Sequence, residues 1–300
     1  MSQDWGTGGA SQFTARTYSD VHPAIDPAQF KLSHPFVVCV IGASRGIGTG
    51  LATSYAKAGA SGLVLASRRI SGLEEAAAAC QAISPQAEID VAHCDIASPE
   101  SVSSLADRVK SRFGRLDVLA INSGFSGPCL TTIGDVDPST FKQASEVNYF
   151  GTFLCAKFFV PLLLASPGGA RAFVAVSSMA ALIVRGPIAN AQYCVSKMAQ
   201  LKLMEHIHEE YAGQGLVAYS VHPGAVATEQ ALDTSPNMFV QYLTDSEELC
   251  GAFCVWLTAG REERKWLSGR LLSAKWDVEE LERRKEEIIQ RDLLRTRLAL

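Results

Sequence analysis

Tyr193 and Lys197 are the residues whose types and spacing could most directly do chemistry in this sequence. They stand four apart in Asn190-Ala191-Gln192-Tyr193-Cys194-Val195-Ser196-Lys197, at the head of a run with helical apolar spacing (Val195, Met198, Leu201, Leu203, Met204, Ile207) that reaches about Ala212. In a helix, residues four apart lie one above the other, so an ammonium would sit beside a phenol. A neighbouring positive charge favours the phenolate and is expected to lower the tyrosine from its usual pKa of about 10. A tyrosine moved that way can serve as general acid or base for a hydroxyl/carbonyl pair. Alone, a pair at this spacing is most often a surface contact that stabilises a helix slightly. Two upstream signals raise its weight. Ala172-Phe173-Val174-Ala175-Val176 has a buried-strand pattern ending in Ser177-Ser178, and the apolar run Phe36–Ile41 meets Gly42-Ala43-Ser44-Arg45-Gly46-Ile47-Gly48.

The elements that must position these residues follow from hydrophobic periodicity. After Phe36–Ile41 and a helix to about Lys57 come a strand at Leu63–Ala66, a helix at Gly72–Ile83, a short strand at Ile89–Ala92 and a helix over Ser98–Phe113 capped by Ser98. A strand at Leu116–Ile121, helices between about Pro138 and Ala165, a strand at 172–176, the Tyr193 helix and a strand at Leu216–Val221 follow. A helix over roughly Asp245–Leu257 and a short strand at Gly269–Ser273 complete the alternation. Strands alternating with helices at this spacing predict an α/β fold, a single doubly wound parallel sheet with helices on both faces, over residues 36–276. Residues 1–35, with Pro23, Pro27 and Pro35, read as an extended arm, either disordered or packed on the body or on a neighbouring subunit. Asp277-Val278-Glu279-Glu280 opens with a capping-box pattern, and 277–300 reads as one amphipathic helix that covers the body or binds a partner.

Composition narrows the function classes. The 300 residues are 47% apolar with a net charge of −4, which offers no basic footprint for nucleic acid or anionic membrane. No apolar run approaches a membrane span, and the polar, glycine-rich start has no signal-like core, so a cytoplasmic protein is expected. Eight scattered cysteines form no C-x-x-C pattern and read as buried free thiols, Cys194 among them. His206 and His208, two apart on a helix, cannot share a metal face, and no metal site is predicted.

A glycine-rich turn between a strand and a helix brings backbone amides to a diphosphate at the positive end of the helix. The spacing Gly42-x3-Gly46-x-Gly48 differs from G-x-G-x-x-G and resembles instead that of the short-chain dehydrogenases/reductases, a resemblance that runs over roughly residues 36–275 in five ordered motifs. It implies a Rossmann-type fold and a set of roles. Gly42, Ser44, Arg45, Gly46, Ile47 and Gly48 match the family's cofactor turn; Asp95 matches the acid that meets the adenine; Asn122-Ser123-Gly124 stands where the family has N-A-G. Asn148 stands at the position of the family's relay asparagine, and Ser178, Tyr193 and Lys197 match its catalytic serine, tyrosine and lysine. Tyr193 and Lys197 also fall at the cofactor, as do Pro223, Gly224, Val226 and Thr228, which match P-G-x-V-x-T beside the nicotinamide. Two positions depart from the pattern, Ile41 for a usual threonine and Ile121 for a usual asparagine; if those side chains meet, replacing both strands neither. The spacing from Ser178 to Tyr193 is slightly long, which predicts a reshaped loop.

Charge argues the choice of nucleotide. After the second strand, where a carboxylate would bind the 2′-hydroxyl of NAD, stand Ser67, Arg68 and Arg69, with Arg45 in the glycine turn. Guanidinium groups suit a phosphate dianion, so NADP(H) is expected. The resemblance then implies reduction of a carbonyl to an alcohol. Apolar walls at Phe125–Leu130, Met179–Val184, Met238, Phe239 and Tyr242 suit a hydrophobic or aromatic small molecule, with 229–244 as a mobile lid. The arm (Tyr18, Pro23, Ala24, Ile25, Asp26, Pro27) and the tail (Ala274-Lys275-Trp276-Asp277) resemble fungal members tied to secondary metabolism. The helix Phe150–Leu164 is apolar on more than one side, and the resemblance implies a homodimer or homotetramer through it. A non-redox isomerisation or cyclisation with NADPH as auxiliary, and a cofactor-sensing regulatory protein, remain as alternatives.

Overall fold

A computed structural model describes residues 6, 7 and 9–298. The apolar runs become seven strands: β1 (Val37–Ile41), β2 (Gly62–Ser67), β3 (Glu88–His93), β4 (Val118–Ile121), β5 (Ala172–Val176), β6 (Val217–His222) and β7 (Arg270–Ser273). They pair in parallel throughout, in the order β3-β2-β1-β4-β5-β6-β7. Successive side chains of a strand point to opposite faces. Accordingly Val38 and Val40 enter one apolar cluster while Val37, Cys39 and Ile41 enter the other. Ile41 and Ile121 are register partners on β1 and β4, both fully buried, so the two isoleucines do stand side by side.

Helices cover both faces. The first are α1 (Ile47–Lys57), α2 (Ile70–Ile83), α3 (Pro99–Phe113), α4 (Pro138–Ala144) and α5 (Gly151–Ala165). After β5 come α6 (Ala191–Tyr211), the short α7 (Glu229–Thr234) and α8 (Asn237–Val240), then α9 (Leu249–Ala259) and α10 (Arg261–Arg264). The face built on α1, α2 and α9 holds Tyr55, Phe253 and Trp256; the opposite face, built on α3 and α5 with part of α6, holds Val102, Phe159 and Met204. Ser98 caps α3 as expected, its hydroxyl accepting from the Ser101 N–H at 3.2 Å. Between α4 and α5, residues Ser145–Phe150 form a π-turn, closed by the Gly151 N–H on the Glu146 carbonyl. The helical stretch Pro138–Ala165 that results is long and apolar enough to cross a membrane by length and composition, against the sequence reading. Yet 56% of its most apolar window is buried inside the protein, as in a core helix.

The chain ends differ from expectation in one respect. The segment read as a single helix over 277–300 is two short helices, α11 (Val278–Arg283) and α12 (Lys285–Gln290), broken at Arg284. The break lets the Arg284 guanidinium donate to the Phe13 carbonyl and stack 3.9 Å from the Phe13 ring. Past α12 the chain leaves the helix altogether, with Asp292 and Leu294 at positive φ. There the Leu294 carbonyl accepts the Leu271 N–H of β7, covering what would otherwise be an open sheet edge. The described part of the arm lies across this tail. Thr17 bridges Trp276, the Tyr18 N–H reaches the Lys275 carbonyl at 2.7 Å, and Ile25 is fully buried in the main core.

Candidate active site

The sheet order reverses between β1 and β4, and at such a switch point the connections after the strands part to leave a crevice. Here a cavity of about 660 Å³ opens at the strand ends. One end is made of backbone. Gly42 has φ of 93°, and a Cβ there would fall 2.5 Å from the Ser123 nitrogen; one on Gly48 would fall 1.9 Å from the Gly42 oxygen. The Asn122 amide ties the turn to β4 by donating to the Gly42 carbonyl at 2.9 Å. Helix α1 begins at Ile47, and Gly46 before it offers no side-chain cap; the Gly48 N–H turns back to the Arg45 carbonyl at 3.1 Å, and the helix N-terminus, an end suited to an anion, opens on the crevice at Ile47.

Most residues singled out from the sequence converge on this crevice. Gly42, Ser44, Arg45, Ile47, Ser67, Arg68, Asp95 and Asn122 line it on one side; Ser178, Tyr193, Lys197, Pro223, Gly224, Val226 and Thr228 line it on the other. Gly46, Gly48 and Asn148 do not line it. The two glycines build the turn from behind, and Asn148 is wholly buried. Asn148 is fixed by Phe125, whose N–H it accepts at 2.8 Å and whose carbonyl takes its amide at 2.7 Å, and it also donates to Ser196 Oγ at 2.9 Å.

Asn190 positions the Tyr193 wall. It caps α6, accepting the Tyr193 N–H at 3.4 Å, and its amide donates to the Ser126 and Pro128 carbonyls across the crevice mouth. Tyr193 is half-buried there, on the same wall as Ser178. Its pKa runs opposite to the expectation: burial raises it above the ordinary tyrosine value, the nearby Ser178 side chain only partly offsets this, and Cys194 adds to the rise. The lysine explains the difference. Lys197 Nζ lies 5.8 Å from the Tyr193 ring centre and donates instead to the Val176 carbonyl (2.9 Å) and Gln200 Oε1 (3.1 Å). Burial, with no anion opposing it, pushes the Lys197 pKa down to about 7. Near neutrality the ammonium is therefore only partly charged, and desolvation wins over charge at the phenol.

Arg69, read from the sequence together with Arg68, faces the crevice beside it, and both Arg45 and Arg69 pair with Glu229 at the start of α7, Arg69 at 3.4 Å. Other lining residues carry no signal that was read from the sequence. The Ser177 hydroxyl lines the wall buried and without a partner. His222 accepts the Met179 N–H on Nδ1 at 3.3 Å, and burial lowers its pKa to about 4. Thr7, Ser11, Gln12 and Thr17 of the arm also line the cavity. Of the expected apolar walls, Met179, Ile183, Phe239 and Tyr242 are present, with Ser126 and Cys129 from the 125–130 loop. Val184 and Met238 are instead exposed, at 90% and 52%, because the loop after Ser178 and helix α8 turn those side chains outward. The cysteines form no disulfide, and among the described residues no group of three or more His, Cys, Asp or Glu could hold a metal ion.

A doubly wound sheet whose crevice joins a glycine turn to a Ser/Tyr/Lys wall defines a dinucleotide-dependent class of protein. The profile of the family described as short chain dehydrogenase matches residues 36–238, and the chain belongs to that family of oxidoreductases. It is 41% identical over 289 residues to the short chain dehydrogenase mpl6 of Monascus purpureus, covering 95% of this chain and 96% of that protein. It is 34% identical over 297 residues to the short chain dehydrogenase pgmD of Aspergillus terreus, covering 96% and 94%. Among solved structures, a short-chain type dehydrogenase/reductase from Mycobacterium marinum matches with a TM-score of 0.73 at 23% identity, over 83% of this chain and 96% of that one. These fungal relatives match over the arm and tail as well as the central sheet, and the family binds a nicotinamide cofactor.

Proposed function

We propose that this protein is an NADPH-dependent reductase that converts a carbonyl of a hydrophobic or aromatic small molecule to an alcohol, in a fungal secondary-metabolic setting. The observation that carries the reading is that Ser178, Tyr193 and Lys197 share one wall of a crevice whose far end is the glycine turn, with the Lys197 amine 5.8 Å from the Tyr193 ring centre. The residues present fit a dinucleotide: the Gly42 and Gly48 cradle would be filled by any Cβ, and the Ser177 hydroxyl waits unpaired in the wall. Gly42, Ser44, Arg45, Gly46, Ile47 and Gly48 would hold the diphosphate, Asp95 and Asn122 the adenosine side, and Pro223, Gly224, Val226 and Thr228 the nicotinamide side. The nicotinamide, when bound, supplies the hydride.

Tyr193 gives its proton to the substrate oxygen as charge develops there, and a raised pKa keeps that proton in place at neutral pH. Ser178 donates a hydrogen bond to the same oxygen. Lys197 stabilises the phenolate left behind, which needs the lysine protonated, and Asn148 would sustain the water chain through which the proton is resupplied. Arg45, Arg68 and Arg69, with Ser67, favour a 2′-phosphate over a bare hydroxyl. The exposed aromatic patch of Tyr149, Phe150 and Phe153, with Val195 nearby in type on α6, supports assembly as a homodimer or homotetramer. The unpaired cysteines support a reducing compartment such as the cytoplasm. The test is NADPH oxidation with a panel of aromatic ketones. Tyr193→Phe is expected to lower kcat by about 10²-fold or more, and turnover that survives that substitution undiminished sinks the mechanism.

A further inference from the structure

Lys197 is held without any carboxylate. Its two hydrogen-bond acceptors are the main-chain carbonyl of Val176, at the end of β5, and the side-chain oxygen of Gln200, one turn along α6. Gln200 is fully buried in the middle of a helix, where an amide is costly unless both of its ends are bonded. Both are. Its Nε2 donates to Thr152 Oγ1 on α5 at 2.9 Å, and the Thr152 hydroxyl donates in turn to the Asn148 carbonyl at 2.9 Å. Thr152 and Asn148 are themselves fully buried.

The direction of this chain is fixed by chemistry. An ammonium can only donate, so the amide oxygen must face Lys197; its nitrogen then faces Thr152, and the threonine proton has only the Asn148 carbonyl left to meet. A dry circuit therefore runs from Lys197 through Gln200 and Thr152 to the main chain of the π-turn that also carries the Asn148 side chain. The segments around the amine bring no competing ion. Val176 offers a carbonyl, and Gly124 is bare backbone where a Cβ would stand 3.9 Å from Nζ and 3.5 Å from Asn148 Oδ1. Tyr193, on the same helix, is a titratable neighbour, with its ring centre 5.8 Å from Nζ, and no charged group acts on the amine strongly enough to oppose its burial.

We infer that Gln200 is a positioning residue, which holds the Lys197 amine at the crevice wall and, through Thr152, ties its place and charge state to the Asn148 turn. This deepens the reading of Tyr193 as proton donor and rests on it. Gln200 accepts from the amine but carries no charge, so it favours the protonated lysine by one hydrogen bond and leaves the amine able to titrate near neutrality.

The experiment compares wild type, Gln200→Leu, Gln200→Glu, Thr152→Val and Tyr193→Phe by two readouts. The first follows lysine 13Cε resonances by NMR against pH, with Lys197→Met assigning the Lys197 signal; it needs neither substrate nor nucleotide. The second is kcat against pH for NADPH-dependent reduction of an aromatic ketone. Losing the acceptor in Gln200→Leu lowers the Lys197 midpoint and moves the alkaline limb of kcat down with it, with kcat near neutrality falling about tenfold, the size of one hydrogen bond to a charged group. A carboxylate in Gln200→Glu raises the midpoint and moves the limb up. Thr152→Val gives a smaller shift in the same direction as Gln200→Leu. Should Gln200→Leu fail to fold, the near-isosteric Gln200→Glu decides alone. An unmoved Lys197 midpoint in every variant that folds overturns the inference, whatever happens to thermal stability. If instead the midpoints move as expected but Tyr193→Phe keeps full activity, the reading of the active site fails while the placement of Lys197 by Gln200 stands.

Discussion

The two ends of the crevice are built by different means. The glycine-turn end is built on backbone: residues 42–48 between β1 and α1, tied to β4 by one amide from Asn122 and packed with no room for a Cβ on Gly42 or Gly48. The opposite end is assembled from loops and chain termini, with Ser126 and Cys129 after β4, Met179 and Ile183 after β5, α7 and α8 after β6, and Ser11 and Gln12 of the arm. A surface made of backbone tolerates almost no change, whereas one made of side chains on connecting segments can be altered piece by piece. A shared cofactor and a variable substrate call for that division.

Breaking the first end should cost most. In Gly48→Ala the new methyl would stand 1.9 Å from the Gly42 carbonyl and 2.8 Å from the Asn122 amide that ties the turn. Neither is the free end of a flexible chain, so the turn must open. Loss of measurable NADPH binding is expected, with about 1–3 kcal/mol of stability lost as for other overpacked sites. Gly134→Ala, with nothing within 4 Å of its Cβ, should change neither. NADPH titration by fluorescence and thermal melts check both, and a Gly48→Ala protein that binds normally would show that the cradle is not where the dinucleotide lies.

His222 lies at the seam between the ends, where β6 meets the loop after Ser178. Its neutral ring accepts the Met179 N–H, and burial holds its folded pKa at about 4 against an ordinary 6.5. As pH falls through 6.5 the unfolded chain takes up a proton that the folded protein refuses until about 4. Stability from this group is thus complete above 6.5 and lost progressively down to 4, by up to about 3 kcal/mol. His22 and His208 are lowered as well, so the difference between proteins is what isolates His222. His222→Asn keeps an acceptor for Met179 without the titration, and its melting temperature should fall less than that of wild type across that window. Parallel curves would remove His222 as the cause.

How much of this could be read from the sequence follows the same line between the two ends. Strand and helix positions came within a few residues, because Val37–Ile41 or Ala172–Val176 announce a two-sided buried strand by composition alone. The glycine turn, Ser178 and the Tyr193/Lys197 pair were legible for a similar reason: each is a short local pattern, the first two just after a strand and the pair in the first turns of α6. The arm and tail were not. Thr14 meets Asp277 across 263 residues, and no local periodicity encodes that contact. The sign of the Tyr193 shift was missed because the sequence shows the lysine but not the carbonyl and amide that draw it away. Gln200 had a signal of its own, a polar residue three positions after Lys197 on the buried face of α6, which was not read.

Nucleotide choice sharpens the comparison at the rim of the backbone end. Arg68→Ala, or Arg45→Ala, should weaken NADPH about tenfold while leaving NADH nearly unchanged, since only the 2′-phosphate loses a charge-assisted partner. Glu229 works in the opposite direction, pairing with Arg45 and Arg69 and so competing with a phosphate for them. Those side chains are well exposed and screened by solvent, so Glu229→Gln should tighten NADPH only a few-fold. Equal effects on the two nucleotides would count against the arginines as readers of the phosphate.

The smallest effect belongs to the assembled end and tests whether the arm is part of the site or only a cover. Phe13 packs 5.0 Å from Trp276 and beneath the Arg284 guanidinium, holding the segment from which Ser11 and Gln12 face the cavity. Upstream, a Cβ on Gly6 would lie 3.3 Å from the Arg185 carbonyl and 3.9 Å from Ile183, so the start of the arm reaches the loop that follows Ser178. Phe13→Ala removes one aromatic and one cation–π contact at a partly buried position, about 1 kcal/mol in all. That is enough to loosen the arm without unfolding the sheet. KM for the ketone should then rise about two- to five-fold, with kcat and the Kd for NADPH unchanged, because the glycine turn does not depend on the arm. A rise in the NADPH Kd of the same size would erase the distinction between the two ends, and unchanged KM would make the arm a cover alone.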